Sequence, residues 1–291
     1  MHPNVVILGS SGFVGSALLD SFRREGIRRI LGYNSSTLDL ASRDSIDRLA
    51  SQLDDGTLLI ITTRSRSFSD PYRQFLSDIA INANIASALA QRKIGKCFYF
   101  SSTSVYGDSH TDLSISEETP IAPTSLYGKA RFAGECTLRE VAVQTEIPLV
   151  IVRPCMIYGP GDTSEAYGPA RLIKSMVQGD SISLYGDGSE LRDYIFISDL
   201  AGITTRLAVG DFTGTYNLAT GHCHSFTEIL ECLQLLTPKR LKVTHQDRLK
   251  PKVDQRINPG RLLAALPNLQ FTDLREGLAA AYGYFSRQRS A

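Results

Sequence analysis

An imbalance of charge is the first thing missing from this 291-residue chain: 31 Lys and Arg stand against 30 Asp and Glu, for a formal net charge of +1. A chain so nearly neutral carries no electrostatic footprint for nucleic acid or for an anionic membrane surface, so neither is expected as a partner. Paired cysteine is missing too. The five cysteines, Cys97, Cys136, Cys155, Cys223 and Cys232, are odd in number, scattered and without a Cys-x-x-Cys pair, which argues against a disulfide scaffold and for a reducing cytosol. No apolar stretch approaches the ~20 residues that cross a bilayer. Nor does a charged n-region with an apolar run precede the first strand-like segment. These absences predict a soluble, cytoplasmic protein. A metal site is also unexpected. His222-Cys223-His224 puts three ligand-type residues in a row on a short loop, but no second cluster completes a tetrahedral set. The Ser225-Phe226-Thr227-Glu228 that follows reads as a capping box opening a helix.

What is present is a regular alternation. Apolar runs at Val5 to Leu8, Arg29 to Gly32, Leu58 to Thr62, Cys97 to Phe100 and Leu149 to Val152 are separated by amphipathic stretches. The clearest helices are Asp78 to Gln91 and Tyr127 to Val141. Strands that are apolar throughout and alternate with helices belong to a parallel sheet covered on both faces, and right-handed crossovers make it an α/β doubly wound sheet.

Between the first strand and its helix lies Gly9-Ser10-Ser11-Gly12-Phe13-Val14-Gly15. Glycines at such a turn let the backbone approach a diphosphate, and the positive helix end holds the anion, so this turn is read as dinucleotide binding. Farther on, Tyr127 and Arg131 are four residues apart and share one helix face. A cation one turn away favours the phenolate, and a tyrosine so poised can exchange a proton with a sugar or ketone oxygen.

These features, with Ser101-Ser102-Thr103-Ser104-Val105-Tyr106-Gly107, Arg153-Pro154, Tyr158-Gly159-Pro160-Gly161, Arg192-Asp193-Tyr194 and Gly214-Thr215-Tyr216-Asn217-Leu218, follow the order of a known family. The chain resembles the extended short-chain dehydrogenase/reductases that act on nucleotide sugars. The resemblance implies a Rossmann domain over residues 1–154, with 188–220 returning to it, and a smaller, interleaved substrate lobe over 155–187 and 221–291. It implies Tyr127 as proton donor or base, Ser102 steadying the reacting oxygen with Thr103 as the alternative, and Arg131 on the nicotinamide ribose. Gly9, Ser11, Gly12, Phe13, Val14, Gly15, Asn34, Ser35, Asp39, Leu40 and Pro154 would complete the cofactor site. Arg192 would clamp a nucleotide-sugar diphosphate, a task for a planar fork of donors; surface pairing with Asp193 or Glu190 is the alternative. A homodimer is implied through the helices carrying Ile79, Ile85, Ala88, Leu89 and Phe132, Cys136, Leu138.

Four departures from the family pattern carry information. Arg131 stands where the family has lysine, keeping the charge but not a proton it can relay. Met156 stands where many relatives place an asparagine on the substrate phosphate. The second strand ends in Tyr33-Asn34-Ser35-Ser36, with no carboxylate to grip the ribose of NAD and repel the phosphate of NADP; NADP is favoured over NAD. Thr103-Ser104 lacks the Asp-Glu pair of sugar 4,6-dehydratases, which leaves reduction of a keto sugar or C4 epimerisation. The missing ribose acid favours a reductase, which must release its oxidised cofactor. A folded nucleotide-binding module without turnover remains the reading of another class.

Overall fold

The computed structural model describes residues 4–65, 68–108, 112–164, 168–238, 240–248 and 251–290. In chain order the strands are β1 (Asn4–Leu8), β2 (Ile30–Tyr33), β3 (Thr57–Ile61), β4 (Lys96–Phe100), β5 (Leu149–Pro154), β6 (Met156–Tyr158), β7 (Ile182–Tyr185), β8 (Leu191–Phe196), β9 (Gly214–Leu218), β10 (Cys223–Ser225) and β11 (Val243–Gln246). The helices are α1 (Phe13–Arg24), α2 (Ser45–Ala50), α3 (Pro71–Gln91), α4 (Leu126–Thr145), α5 (Gly168–Gln178), α6 (Ile197–Val209), α7 (Phe226–Gln234), α8 (Gly260–Ala265) and α9 (Leu274–Ser290).

The chain divides into two units, and the first comprises Met1–His110, Glu117–Pro154 and Ala201–Asn217. Its sheet has the order β2-β1-β3-β4-β5-β9. The pairings of β1 with β2 and β3, of β3 with β4 and of β4 with β5 are all parallel. This is the expected doubly wound α/β sheet, and strand order reverses at β1, the point where such sheets open a crevice beyond their strand ends. Every residue of β3 is buried, as are Val5 to Leu8 of β1. Helix α3 starts at Pro71, two turns before the expected Asp78: Asp70 caps it by accepting from the Tyr72 N–H, and the exposure of Tyr72 and Leu76 erases the apolar periodicity there. Ile85, Ala88, Leu89 and Leu138, which the resemblance placed at a dimer face, lie in this unit's own core beneath α3 and α4.

The second unit comprises Thr111–Ser116, Cys155–Leu200 and Leu218–Ala291. It contains a three-stranded sheet of order β10-β8-β6, in which β8 runs parallel to β6 and antiparallel to β10, and a parallel pair β11-β7. The expected return to the first unit over 188–220 is therefore shorter, since among the described residues β8 pairs with strands of the second unit and the return begins at Ala201. A core of Tyr158, Leu172, Ile173, Tyr194, Phe196, Ile229, Leu278 and Phe285 closes this unit. Helix α7 opens with the Ser225–Glu228 capping box expected from the sequence, both reciprocal bonds being formed. Among the described residues no helix is long and apolar enough to cross a membrane.

Candidate active site

The glycine turn is shaped by what a side chain would hit. Gly9 has φ +90°, and a Cβ there would lie 2.6 Å from Thr62 Oγ1. A Cβ on Gly15 would lie 2.1 Å from the Gly9 carbonyl oxygen, so the start of α1 can approach the end of β1 only without one. Gly12 is the N-cap of α1 and offers no side-chain cap, which leaves the helix end open to an anion. Beside this turn, wholly within the first unit, is a cavity of about 490 Å³. Gly9, Ser11, Gly12, Asn34, Ser35, Asp39 and Leu40 line it. Phe13, Val14, Gly15 and Pro154 do not: Gly15 is packed under the Gly9 carbonyl, and Pro154 is buried at the end of β5.

Past β2 no carboxylate faces the cavity until Asp39. Asn34 spends its side-chain oxygen on its own loop, accepting from the Ser36 N–H at 2.9 Å and the Thr37 N–H at 3.2 Å. The Asp39-Leu40 segment is held from α3, where Asn84 Nδ2 donates to the Leu40 carbonyl at 2.9 Å; this asparagine was not singled out from the sequence.

Tyr127 occupies the first turn of α4, which Ser125 caps by accepting from the Gly128 N–H at 3.0 Å. A Cβ on Gly128 would lie 2.4 Å from the Ser104 carbonyl oxygen, so this glycine lets the helix start press against the 3₁₀ turn Thr103–Tyr106. Ser102 caps that turn, its Oγ accepting from the Ser104 N–H at 3.1 Å, and both Ser102 and Thr103 are buried. Arg131 follows one turn after Tyr127. Its Nη1 donates to the Thr63 carbonyl at 2.9 Å and the Phe100 carbonyl at 3.2 Å, and its Cζ lies 5.2 Å from the centroid of the Tyr127 ring. Burial pushes the Tyr127 phenol toward a higher pKa, but the Arg131 charge and hydrogen bond, the Arg64 charge and a hydrogen bond with Ser102 outweigh it, leaving the phenol below its ordinary value. Burial works against the Arg131 cation, and its interactions with Tyr127 and Tyr99 more than restore it.

Behind these groups runs a buried network centred on Glu135, a residue the sequence reading did not single out. Glu135 lies two turns beyond Tyr127 on the same face of α4 and is fully buried. It accepts from Ser101 Oγ at 2.5 Å, from Arg153 Nε at 2.9 Å and from Arg153 Nη2 at 2.7 Å. Arg153 Nη1 donates to Tyr106 OH at 2.9 Å, and that hydroxyl donates to Asn217 Oδ1 at 2.7 Å. The continuation of the four-residue spacing from Tyr127 to Arg131 to Glu135 was the available signal. Arg64, whose Cζ lies 5.1 Å from the Tyr127 ring centroid, had none: it stands in a loop without periodicity.

In the second unit the two implied substrate residues are engaged elsewhere. Arg192 Nη1 donates to the Leu191 carbonyl at 2.9 Å and to the Val253 carbonyl, and its Nη2 is 3.8 Å from Glu190 Oε2. Arg192 is thus engaged by backbone carbonyls and by Glu190. Met156 is half-buried against the core of its own unit. Cys223 and His224 lie in β10, and among the described residues no group of three or more His, Cys, Asp or Glu is gathered to hold a metal ion.

A model of the NAD dependent epimerase/dehydratase family matches residues 5–219. The GDP-6-deoxy-D-mannose reductase of Pseudomonas aeruginosa is 26% identical over 265 residues, which cover 88% of this chain and 87% of that one. The UDP-glucose 4-epimerase of Thermotoga maritima, solved with UDP-glucose, superposes with a TM-score of 0.86 at 20% identity, over 98% of this chain and 99% of its own. RMD of Pseudomonas aeruginosa, solved with NADPH, gives a TM-score of 0.83 at 22% identity, over 98% and 99% of the two chains. At these identities the superpositions establish the fold, and the family model, which spans most of the sequence, establishes the kinship. The chain belongs to the NAD dependent epimerase/dehydratase family.

Proposed function

We propose that the chain is an NAD(P)-dependent oxidoreductase that moves a hydride to or from C4 of a nucleotide-activated sugar, working as a ketoreductase. The observation that carries the reading is the Tyr127 phenol, held between cations and beside Ser102 with its ionisation eased below the ordinary range. A phenol so placed gives its proton to a carbonyl oxygen during reduction and takes one back in the reverse direction. Ser102 steadies that oxygen by a hydrogen bond. Arg131 stays charged throughout, because a guanidinium does not give up its proton.

The cavity fits a dinucleotide on two counts. Its glycine cradle has no room for side chains, and its wall contains Thr63 Oγ1, a buried hydroxyl with no hydrogen-bond partner. Gly9, Ser11 and Gly12 would hold the diphosphate, Asn34 and Ser35 the adenosine ribose, and Asp39 and Leu40 the base; Tyr127 and Arg131 would meet the nicotinamide ribose. The dinucleotide supplies or accepts the hydride when bound. With no carboxylate where β2 ends, the group that would repel a ribose 2′-phosphate is missing at that position, which favours NADP. Thr103-Ser104 offers no acid to move a proton on carbon, so the reading excludes 4,6-dehydration. The nucleotide sugar is assigned to the second unit, with no clamp role for Arg192 given its present bonds. A cytoplasmic homodimer completes the proposal.

The test is NADPH oxidation in the presence of nucleotide-linked 4-keto sugars. Oxidation is expected, and Tyr127→Phe lowers kcat by about 10²–10⁴-fold, the usual worth of a positioned proton donor. Tight NADPH binding without oxidation on any such sugar would point instead to a non-catalytic binding module. The likeness to the Thermotoga epimerase favours C4 epimerisation as the second reading; it would be recognised by NAD retained through purification and by interconversion of C4 epimers without added cofactor.

A further inference from the structure

We propose that Arg64 is a second cation governing the charge state of Tyr127, adding its charge from the loop after β3 to that of Arg131 on α4. The inference rests on the reading of Tyr127 as the proton-exchanging group. Its basis is geometric. The Tyr127 ring lies near two guanidinium groups from different elements, Arg131 with Cζ at 5.2 Å and Arg64 with Cζ at 5.1 Å from the centroid. The backbone on either side of Arg64 is fixed. The preceding carbonyl, that of Thr63, accepts from Arg131 Nη1 at 2.9 Å, and the following N–H, that of Ser65, donates to the buried Asp78 Oδ1 at 2.7 Å. Arg131 thus holds in place the loop that brings the second cation. Among the described residues no carboxylate forms an ion pair with Arg64, so its charge is not cancelled locally.

Arg131 is also engaged by the backbone. Its Nη1 is shared between two carbonyl oxygens, those of Thr63 and Phe100. The groups that bear on the phenol are Arg131 from its own helix, Arg64 from the loop after β3, and the Ser102 hydroxyl and Tyr99 phenol from β4 and the turn after it. Arg64 is the exposed member and lines the same cavity as the glycine turn. An exposed charge is screened by salt, so its effect fades as ionic strength rises.

The experiment is a spectrophotometric titration of phenolate absorbance in the full chain without substrate, with Tyr127→Phe identifying the step that belongs to Tyr127. Arg64→Gln should raise the midpoint of that step by about half a pH unit or more, a partly screened share of the shift an adjacent opposite charge produces. Arg64→Lys, which keeps the charge, should leave it close to wild type. An unmoved midpoint in Arg64→Gln, or an equal rise in Arg64→Lys, overturns the proposal. The titration does not depend on turnover: a shifted midpoint in a protein that reduces no keto sugar would sink the enzymatic reading alone, and turnover with an unmoved midpoint would sink this inference alone.

Discussion

Replacement of the family's lysine by Arg131 sets the chemistry at the smallest scale. A lysine ammonium is a compact charge that can relay a proton, whereas Arg131 is a permanently charged fork that donates to the Thr63 and Phe100 carbonyls while facing Tyr127. The account asks only for the charge. Arg131→Lys should therefore keep turnover or raise it, while Arg131→Met should lose about 10²-fold or more in kcat and raise the Tyr127 titration midpoint. Complete loss of cofactor binding in Arg131→Lys would contradict the assignment. The Tyr127–Arg131 pair was legible because helical periodicity alone places residues i and i+4 together. The Arg64 contact was not, because it joins a loop after β3 to a helix more than sixty residues later and exists only once the sheet has formed.

Elements are tied together behind that pair by Glu135 and Arg153. Glu135 on α4 holds Ser101, the neighbour of Ser102, and grips Arg153 at the end of β5 through two hydrogen bonds. The helix that carries the phenol and the strand end that carries the serine are thereby fixed to each other. Removing one partner of a buried pair leaves the other charge uncompensated, so Glu135→Gln should cost about 3–5 kcal/mol of stability at neutral pH. The sign with pH follows from the direction of the shift. Burial pushes the Glu135 carboxyl up, but the Arg153 hydrogen bonds and charge, with Ser101 and Arg139, pull it below its ordinary value. The stability it contributes is full above the ordinary glutamate range and drains away as pH falls toward the folded value. Chemical denaturation across acid pH should show the gap between wild type and Glu135→Gln narrowing as pH falls. A constant gap would mean that the carboxylate charge is not what the pair contributes.

For the molecule as a whole, the apolar strands and the glycine turn made the doubly wound sheet readable in advance, since Val5 to Leu8 and Leu58 to Ile61 are buried on both faces as such a sheet demands. The second unit was less legible. Its strands are short, its sheets small, and the return of the chain at Ala201 rather than Gly188 depends on β8 choosing β6 and β10 as neighbours, a pairing between distant segments that no local pattern announces. The backbone partners of Arg192, Leu191 and Val253, are likewise brought to it only by the fold. The central claim remains that Tyr127 exchanges a proton while hydride passes to a sugar carbon, and isotope transfer tests it most directly. With nicotinamide-deuterated NADPH and a nucleotide-linked 4-keto sugar, the product should carry deuterium at C4, and Tyr127→Phe should slow the transfer by about 10²–10⁴-fold while still binding NADPH. Deuterium at another carbon, or transfer that continues undiminished without the Tyr127 hydroxyl, would contradict the account.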